Sequence, residues 1–155
     1  MPMKGELFVY NHEGTQLEGP REDRSSLIFE YNHEVYLPYD REELKVQGAR
    51  KLTAFSVTKE IDKLTPQLYE IVCKGRNCKK VIIKLYRINK DAGDEEEYFN
   101  YILEDAKVVQ VENMMPSMKV AANENTGHLE KLEFIARTIT WQYLEGGVEY
   151  TEKTF

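Results

Sequence analysis

Histidine and cysteine, the residues that most often bind metals in proteins, are few in this sequence and lack a ligand spacing. His12, His33 and His128 lie far apart and show no His-x-x-His or His/Cys pattern, which favours scattered surface or half-buried histidines over a zinc site. Cys73 and Cys78 form a single pair, too few for a disulfide framework or a four-ligand zinc site. We expect two reduced thiols, and a local bridge between them stays open on geometry.

Three other motifs suggest chemistry at first sight, and each has a simpler explanation. The acidic run 94–97 lacks the glycine and the alternating oxygen ligands of a calcium loop and is typical of a solvated hairpin tip. Ser25-Ser26 has no Gly-x-Ser-x-Gly elbow, and Gly146-Gly147 lies in a hairpin and not at the start of a phosphate-binding helix. The 27 acidic residues include no recognisable acid–base pair. The sequence therefore predicts neither an enzyme nor a cofactor.

Length and charge limit the class of protein further. At 155 residues and 18.2 kDa the chain is long enough for one core and too short for two ordinary domains, so we predict a single domain over 1–155. A net charge of −6 without a Lys/Arg cluster argues against nucleic-acid binding and anionic membranes. The sequence has no long apolar run for membrane insertion, and residues 1–6 lack the apolar segment of a secretory signal. We expect folding in the cytoplasm, with export only by a route that needs no signal peptide.

The pattern of apolar residues predicts a chain built mostly from β-strands. One helix is predicted at about 65–74, with Thr65 as the N-cap, Pro66 in the first turn and Gly75 as a left-handed C-cap. The polar segment 40–48 is predicted to be a long exposed loop. Strands are predicted at 6–11, 27–37, 52–57, 79–89, 97–103, 106–114, 128–140 and 148–153.

The strand predicted at 128–140 indicates how the sheet closes. Its apolar positions begin on even numbers, at Leu132 and Phe134, and continue on odd numbers from Ile135. Such a change of parity predicts a bulge or a corner, as when one strand serves two walls of a barrel. With eight or nine strands and one helix, a closed or nearly closed barrel leaves few edges exposed. The predicted fold class is mainly β, an antiparallel barrel with one flanking α-helix.

Ten short segments, spread over most of the chain, form an ordered pattern. They are Phe55, 58–62, 66–69, 86–89, 97–100, Leu103, 108–109, 128–130, 139–141 and Gly146. In order and spacing they resemble the haemolysin-coregulated protein (Hcp) family, the tube-forming component of bacterial type VI secretion. Each segment alone is weak evidence for the family, whereas the order and spacing of all ten segments together are specific to it.

The resemblance implies a function in assembly. It implies a homohexameric ring, with rings that stack into a hollow tube, carry a VgrG-type spike and are propelled out of the cell by a contractile sheath on its baseplate. The lumen is implied to hold small effector proteins, and by alignment Asn32 falls near it, although a merely solvated asparagine is the simpler alternative. The loop between stacked rings is implied to contain Asp40, Arg41, Glu42, Glu43, Lys45 and Arg50.

Other functions remain open from the sequence alone. A phage tail-tube subunit has the same kind of fold and is poorly separated from the leading interpretation. A monomeric β-barrel that binds a small ligand in its mouth is a second alternative, and light scattering would reveal it as a monomer. A secreted enzyme needs a fused catalytic domain, and we expect none because the last predicted strand ends close to Phe155.

Overall fold

The computed structural model describes residues 3–154, so that Met1, Pro2 and Phe155 of the predicted domain lie outside the described residues. Within this range the chain forms eleven strands, one α-helix and a 3-10 turn at Ala121–Asn123. In chain order the elements are β1 (Gly5–Tyr10), β2 (Ser26–Asn32), β3 (Val35–Tyr36), β4 (Tyr39–Asp40), β5 (Lys45–Val46), β6 (Lys51–Leu52), β7 (Phe55–Glu60), α1 (Thr65–Lys74), β8 (Asn77–Ile88), β9 (Glu95–Met114), β10 (Leu129–Tyr143) and β11 (Val148–Lys153).

Six of the strands close into an antiparallel barrel. Their order is β10-β7-β2-β1-β8-β9, and β9 returns to pair with β10. The strand β11 extends the sheet from β10, outside the closed ring of strands. Closure pairs both edges of each barrel strand over much of its length, which limits the surface available for unwanted strand pairing. The predicted mainly β barrel with one flanking helix is confirmed.

The interior of the barrel is filled by apolar side chains from all six strands. Burying each of them stabilises the fold by about 1.5–3 kcal/mol. The barrel is thus a packed core made of side chains, as expected for a small closed barrel. The buried residues are Leu7, Val9, Ile28, Phe55, Val57, Val81, Ile83, Leu103, Val108, Leu132, Phe134 and Ile139.

The longest strand, β9, corrects the prediction of two separate strands at 97–103 and 106–114. It runs for 20 residues and pairs with β8 along one edge and with β10 along the other. The strand continues through Asp105, which adopts a positive φ of 50°. A register shift opposite Glu133 and Phe134 adds a bulge beside β10. The apparent gap between two strands is therefore an irregularity inside one strand.

The strand β10 confirms that one strand serves two sets of neighbours. Its first half pairs with β7 and its second half with β11, while β9 lies along its other edge. The buried positions are even through Ala136, and the next buried positions are Ile139 and Thr140, where the apolar core residue is the odd-numbered Ile139. Ile135, predicted as the first odd core position, is exposed because the parity changes only after Ala136.

The helix α1 occupies the predicted residues and ends at Gly75, whose φ of 62° is the predicted left-handed conformation. The predicted N-cap is wrong, because Thr65 lies inside the first helical turn. Asp62 supplies the cap instead: its carboxylate accepts the Leu64 N–H at 2.9 Å, and its own N–H donates to Thr65 Oγ1 at 3.1 Å. Leu68 then buries the apolar face of the helix in the core.

Both cysteines are free thiols in different environments. Cys73 is exposed on α1, whereas Cys78 is buried in β8. Burial raises the pKa of the Cys78 thiol to about 11. Cys78 is therefore expected to behave as a small apolar core residue.

Candidate functional site

The segment between β2 and β7 forms a β-hairpin, which we call the arm (residues 34–53). Its two sides pair in two short ladders, β3 with β6 and β4 with β5. At the base of the arm the Glu34 N–H donates to Thr53 Oγ1 at 2.9 Å, and the Thr53 N–H donates to the Glu34 carbonyl at 2.9 Å. The exposed loop predicted at 40–48 is therefore the end of an ordered hairpin.

The tip of the arm is organised by Asp40. Its carboxylate accepts the Glu42 N–H at 2.8 Å and the Glu43 N–H at 3.3 Å, and its carbonyl accepts the Leu44 N–H at 2.7 Å. Lys45 lies opposite Asp40 in the ladder of β4 and β5. The tip thus brings together five of the six candidate stacking residues, namely Asp40, Arg41, Glu42, Glu43 and Lys45.

The sixth candidate, Arg50, holds the arm against the barrel. Its Nε donates to Glu152 Oε2 at 3.1 Å, and its Nη2 donates to the Lys153 carbonyl at 2.6 Å, both on β11. The hydrogen bond from Arg50 keeps the pKa of the Glu152 carboxyl below its usual value. Arg50 is therefore separate from the tip and fixes the direction of the arm.

Large apolar side chains lie exposed along the arm. Leu44 is 78% exposed at the tip, and Tyr39 and Val46, which pair across the hairpin, are 55% and 58% exposed. Exposed apolar side chains that lie side by side, as Tyr39 and Val46 do, often mark contact surfaces on soluble proteins. The candidate stacking residues are all charged, although the exposed surface of the arm also includes Val35, Tyr36 and Leu37.

An aromatic cluster at one end of the barrel holds the root of the arm. The His33 ring stacks on Phe55 with 5.1 Å between ring centroids and on Trp141 with 5.9 Å, and Tyr101 packs edge-on at 6.2 Å. Both ring nitrogens of His33 are buried without a hydrogen-bond partner among the described residues, and burial lowers the pKa of His33. His33 is therefore a packing residue in its neutral form.

Asn32, the candidate lumen residue, ends β2 on the outward side of the barrel. It pairs with Ser56 of β7, which in turn pairs with Glu133 of β10. A cleft of about 350 Å³ is lined by Asn32 together with Thr58 and Lys131. Asn32 thus belongs to a polar sheet surface that is distinct from the apolar arm.

A buried ion pair explains one of the recognised segments, 58–62. Lys59 and Glu130 are fully buried and pair across β7 and β10, and Lys59 Nζ also donates to Asp62 Oδ1 at 3.0 Å. Thr65 Oγ1 donates to Glu130 Oε2 at 3.1 Å. These contacts tie the start of α1 to the barrel, so the segment has a structural role.

The acidic residues that begin β9 are paired with cations and are not simply solvated as predicted. Glu96 accepts a hydrogen bond from Arg87 Nε at 2.9 Å, and Glu97 lies 3.3 Å from Lys84 Nζ. Arg87 Nη1 also donates to the Tyr143 hydroxyl at 2.9 Å, which links β8 to β10. These contacts account for the recognised segments 86–89 and 97–100.

Two arrangements that the sequence raised, a metal-binding cluster and a serine nucleophile, can be compared with the described residues. Within residues 3–154, no group of three or more His, Cys, Asp or Glu side chains is placed to hold a metal ion. Ser25 Oγ faces the carboxylates of Asp23 at 2.5 Å and Glu6 at 3.1 Å, which are not the imidazole base of a nucleophilic serine. The helices in this part of the chain are too short or too polar to cross a bilayer.

Both the sequence and the fold match type VI secretion proteins. Residues 11–143 match the family model described as "Type VI secretion system effector, Hcp". The "Major exported protein" of Pseudomonas aeruginosa is 31% identical over 140 residues, which cover 90% of this chain and 80% of that protein. A solved variant of the Hcp1 protein from the E. coli EAEC 042 pathovar has a TM-score of 0.86 and 33% identity, covering 99% of this chain and 100% of that chain.

A more distant structure supports the fold alone. The secreted protein Hcp3 from Pseudomonas aeruginosa has a TM-score of 0.79 and 22% identity, covering 98% of each chain. The family model, the exported relative and the Hcp1 structure together confirm the resemblance found in the ten segments. The chain therefore belongs to the Hcp family of type VI secretion proteins, which are secreted structural proteins and not enzymes.

Proposed function

We propose that six copies of this chain form a ring and that the rings stack through the arm into the hollow tube of a type VI secretion system. In this function the chain folds in the cytoplasm and leaves the cell as part of the tube, with a VgrG-type spike at the tip and a contractile sheath and baseplate as further partners. The lumen holds small effector proteins. Membership of the Hcp family supports the proposal.

The observation that carries the proposal is the exposed apolar surface of the arm. Six large apolar side chains of the arm are between 43% and 78% exposed. Burying this surface against a neighbouring copy would stabilise the contact by about 25 cal/mol per Å² of apolar area. The arm is also held at its root by His33 and by Arg50, so little flexibility is lost on contact.

A ring and a stack both need contacts between unlike faces of identical subunits. In such head-to-tail contacts the surface of one copy meets a different surface of the next. The mixed charges at the tip of the arm suit this arrangement, because charges at the rim of a contact fix its orientation more than its strength. We therefore assign orientation between rings to Asp40 and Lys45 and contact area to the apolar residues of the arm.

Electron microscopy and sedimentation velocity of the purified protein test the proposal. The expected result is a hexamer seen as an annulus with a central hole, and tubes at high concentration. The triple variant Tyr39→Ser, Leu44→Ser and Val46→Thr is expected to keep rings and lose tubes, because these exposed side chains do not support the barrel core. The matched control, Met3→Ser, changes a residue outside the arm that is 68% exposed and should leave tubes intact.

Two results would contradict the proposal. Compact monomers without a hole at micromolar concentration would favour the alternative of a small-ligand module, which light scattering detects directly. Loss of rings together with tubes in the arm variant would show that the arm joins neighbours within a ring. The phage tail-tube alternative is disfavoured by the match to the Hcp family over residues 11–143.

A further inference from the structure

Two rows of polar residues run side by side across the outward face of four barrel strands. The strand registers place each residue beside the next one in its row. They point away from the core because Val57 and Leu132, which alternate with them, are fully buried. We call them the polar rows, and they are Glu30, Thr58, Lys131 and Glu112 in the first and Asn32, Ser56, Glu133 and Gln110 in the second.

The polar rows differ in composition from the arm. All eight side chains are polar, and each is exposed or half-buried. The small side chains of Ser56 and Thr58 lie at the centre, where the cleft of about 350 Å³ opens. Tyr31, Leu129 and Met114 also line this cleft. The rows themselves contribute no apolar side chain to a permanent protein contact, which leaves them free to face water.

The rows also carry an unbalanced charge. Three carboxylates, on Glu30, Glu112 and Glu133, accompany one ammonium group on Lys131, which gives a net charge of −2 per chain. The ion pairs of the described residues lie elsewhere, so these four charges are free to act on a partner. With its amide turned to satisfy both polar atoms, Gln110 donates through its nitrogen to both carboxylate oxygens of Glu133 at 3.2 Å, a contact that leaves the charge of Glu133 in place.

We propose that the polar rows line the pore of the ring and select cargo proteins with a positively charged surface. This inference rests on the proposed ring, in which the apolar arm is buried between copies and the polar rows remain open. A ring repeats the charge of the rows in every copy around one cavity. Charges of one sign in a cleft with walls of low dielectric focus the field and raise the local concentration of an oppositely charged partner.

Binding of a pair of probes of opposite charge tests the inference. Lysozyme is a small basic protein, and succinylated lysozyme is its acidic counterpart of nearly the same size. Assembled rings are expected to bind lysozyme in a salt-sensitive way and to exclude the succinylated form. The double variant Glu30→Lys and Glu112→Lys should weaken lysozyme binding by roughly tenfold or more and favour the succinylated form, since focusing by a charged cleft changes association by factors of about 10 to 1,000.

The matched control is the double variant Glu22→Lys and Glu124→Lys, which makes the same change in net charge at exposed positions outside the rows. It should bind both probes as the unmodified ring does. Equal effects of the two double variants, or lysozyme density on the outside of the ring in electron micrographs, would overturn the inference and leave the ring intact. If the unmodified protein forms no ring, the proposed function fails first, and the same micrographs show it.

Discussion

Replacement of Lys59 by methionine is expected to destabilise the barrel strongly. The ammonium group of Lys59 is fully buried and pairs with the equally buried carboxylate of Glu130. Methionine fills a similar volume but supplies no charge, so among residues 3–154 Glu130 keeps the hydroxyl of Thr65 and the amide of Asn113 as partners. A buried carboxylate without its cation is costly because the interior cannot solvate it as water does.

The size of the effect follows from the burial of the pair. Removing one partner of a buried ion pair costs about 3–5 kcal/mol. For a chain of this length each kcal/mol lowers Tm by about 2–4 °C, so a fall of roughly 6–20 °C is expected. Removing both charges is different, because apolar replacements of a buried pair are often neutral or stabilising. The double variant Lys59→Met and Glu130→Leu should therefore recover most of the stability lost by Lys59→Met.

Chemical denaturation followed by circular dichroism, at one fixed protein concentration, gives the free energies of unfolding. The concentration has to be fixed because assembly stabilises the folded chain by mass action. A matched control is Lys74→Met, which removes an exposed ammonium paired with Glu70 on the same helix and should change stability by less than about 1 kcal/mol. The reasoning is refuted if Lys59→Met costs no more than this control. It is also refuted if the double variant loses at least as much stability as Lys59→Met.

Three further predictions rest on single residues. Burial lowers the pKa of His33, so below about pH 6.5 the unfolded chain binds a proton more readily than the folded chain. The free energy of unfolding should therefore fall as the pH drops below about 6.5. Urea midpoints of the His33→Phe variant should lack the part of this pH dependence that His33 causes. A thiol reagent at pH 8 should label Cys73 quickly in the folded protein and Cys78 only after unfolding, since burial raises the pKa of Cys78. Gly19→Ala should cost about 1–3 kcal/mol in thermal unfolding, because the added Cβ would lie 2.4 Å from the Arg24 carbonyl oxygen.

The sequence predicted those parts of the fold that depend on local patterns. A predicted strand overlaps each barrel strand, although β9 was predicted as two strands and the prediction at 52–57 covers only the first half of β7. Gly75 marked the end of the helix through its left-handed conformation. The predictions were wrong where the local structure depends on contacts with residues that are distant in the sequence. Strand β9 continues past the irregular backbone at Asp105 because it pairs with β8 on one side and β10 on the other. No local sequence pattern reveals this pairing.

The sequence indicates the inward orientation of both residues of the buried ion pair, but not their contact. Phe55, Val57 and Lys59 share one face of β7 by their period of two, and Glu130 shares a face of β10 with Leu132. A lysine and a glutamate at inward positions of two strands indicate a buried pair if the strands are neighbours. The pairing of β7 with β10 joins strands that are distant in sequence, so only the structure shows that the two charges meet.

The candidate site also has residues that the sequence predicted together and residues whose position only the structure shows. The charged residues from Asp40 to Lys45 were named through the resemblance, and the structure places them together at one tip. Arg50 was named with them but belongs to the root of the arm, since its partner Glu152 is about a hundred residues away in the chain. The apolar residues around Leu44 were overlooked because exposed apolar surface is recognised only once a fold is known.

The two anchors of the arm explain how a hairpin with such short ladders could form the proposed stacking surface. Its own pairing supplies only two ladders of two residues on each side, too little to be stable in water alone. His33 fixes one side of the root in the aromatic cluster with Phe55, and Arg50 fixes the other side on β11. The barrel thus restricts the motion of the arm, so the apolar tip points in one direction before the proposed contact with another ring forms. A preorganised surface binds more tightly than expected from its buried area alone, because less conformational entropy is lost on contact.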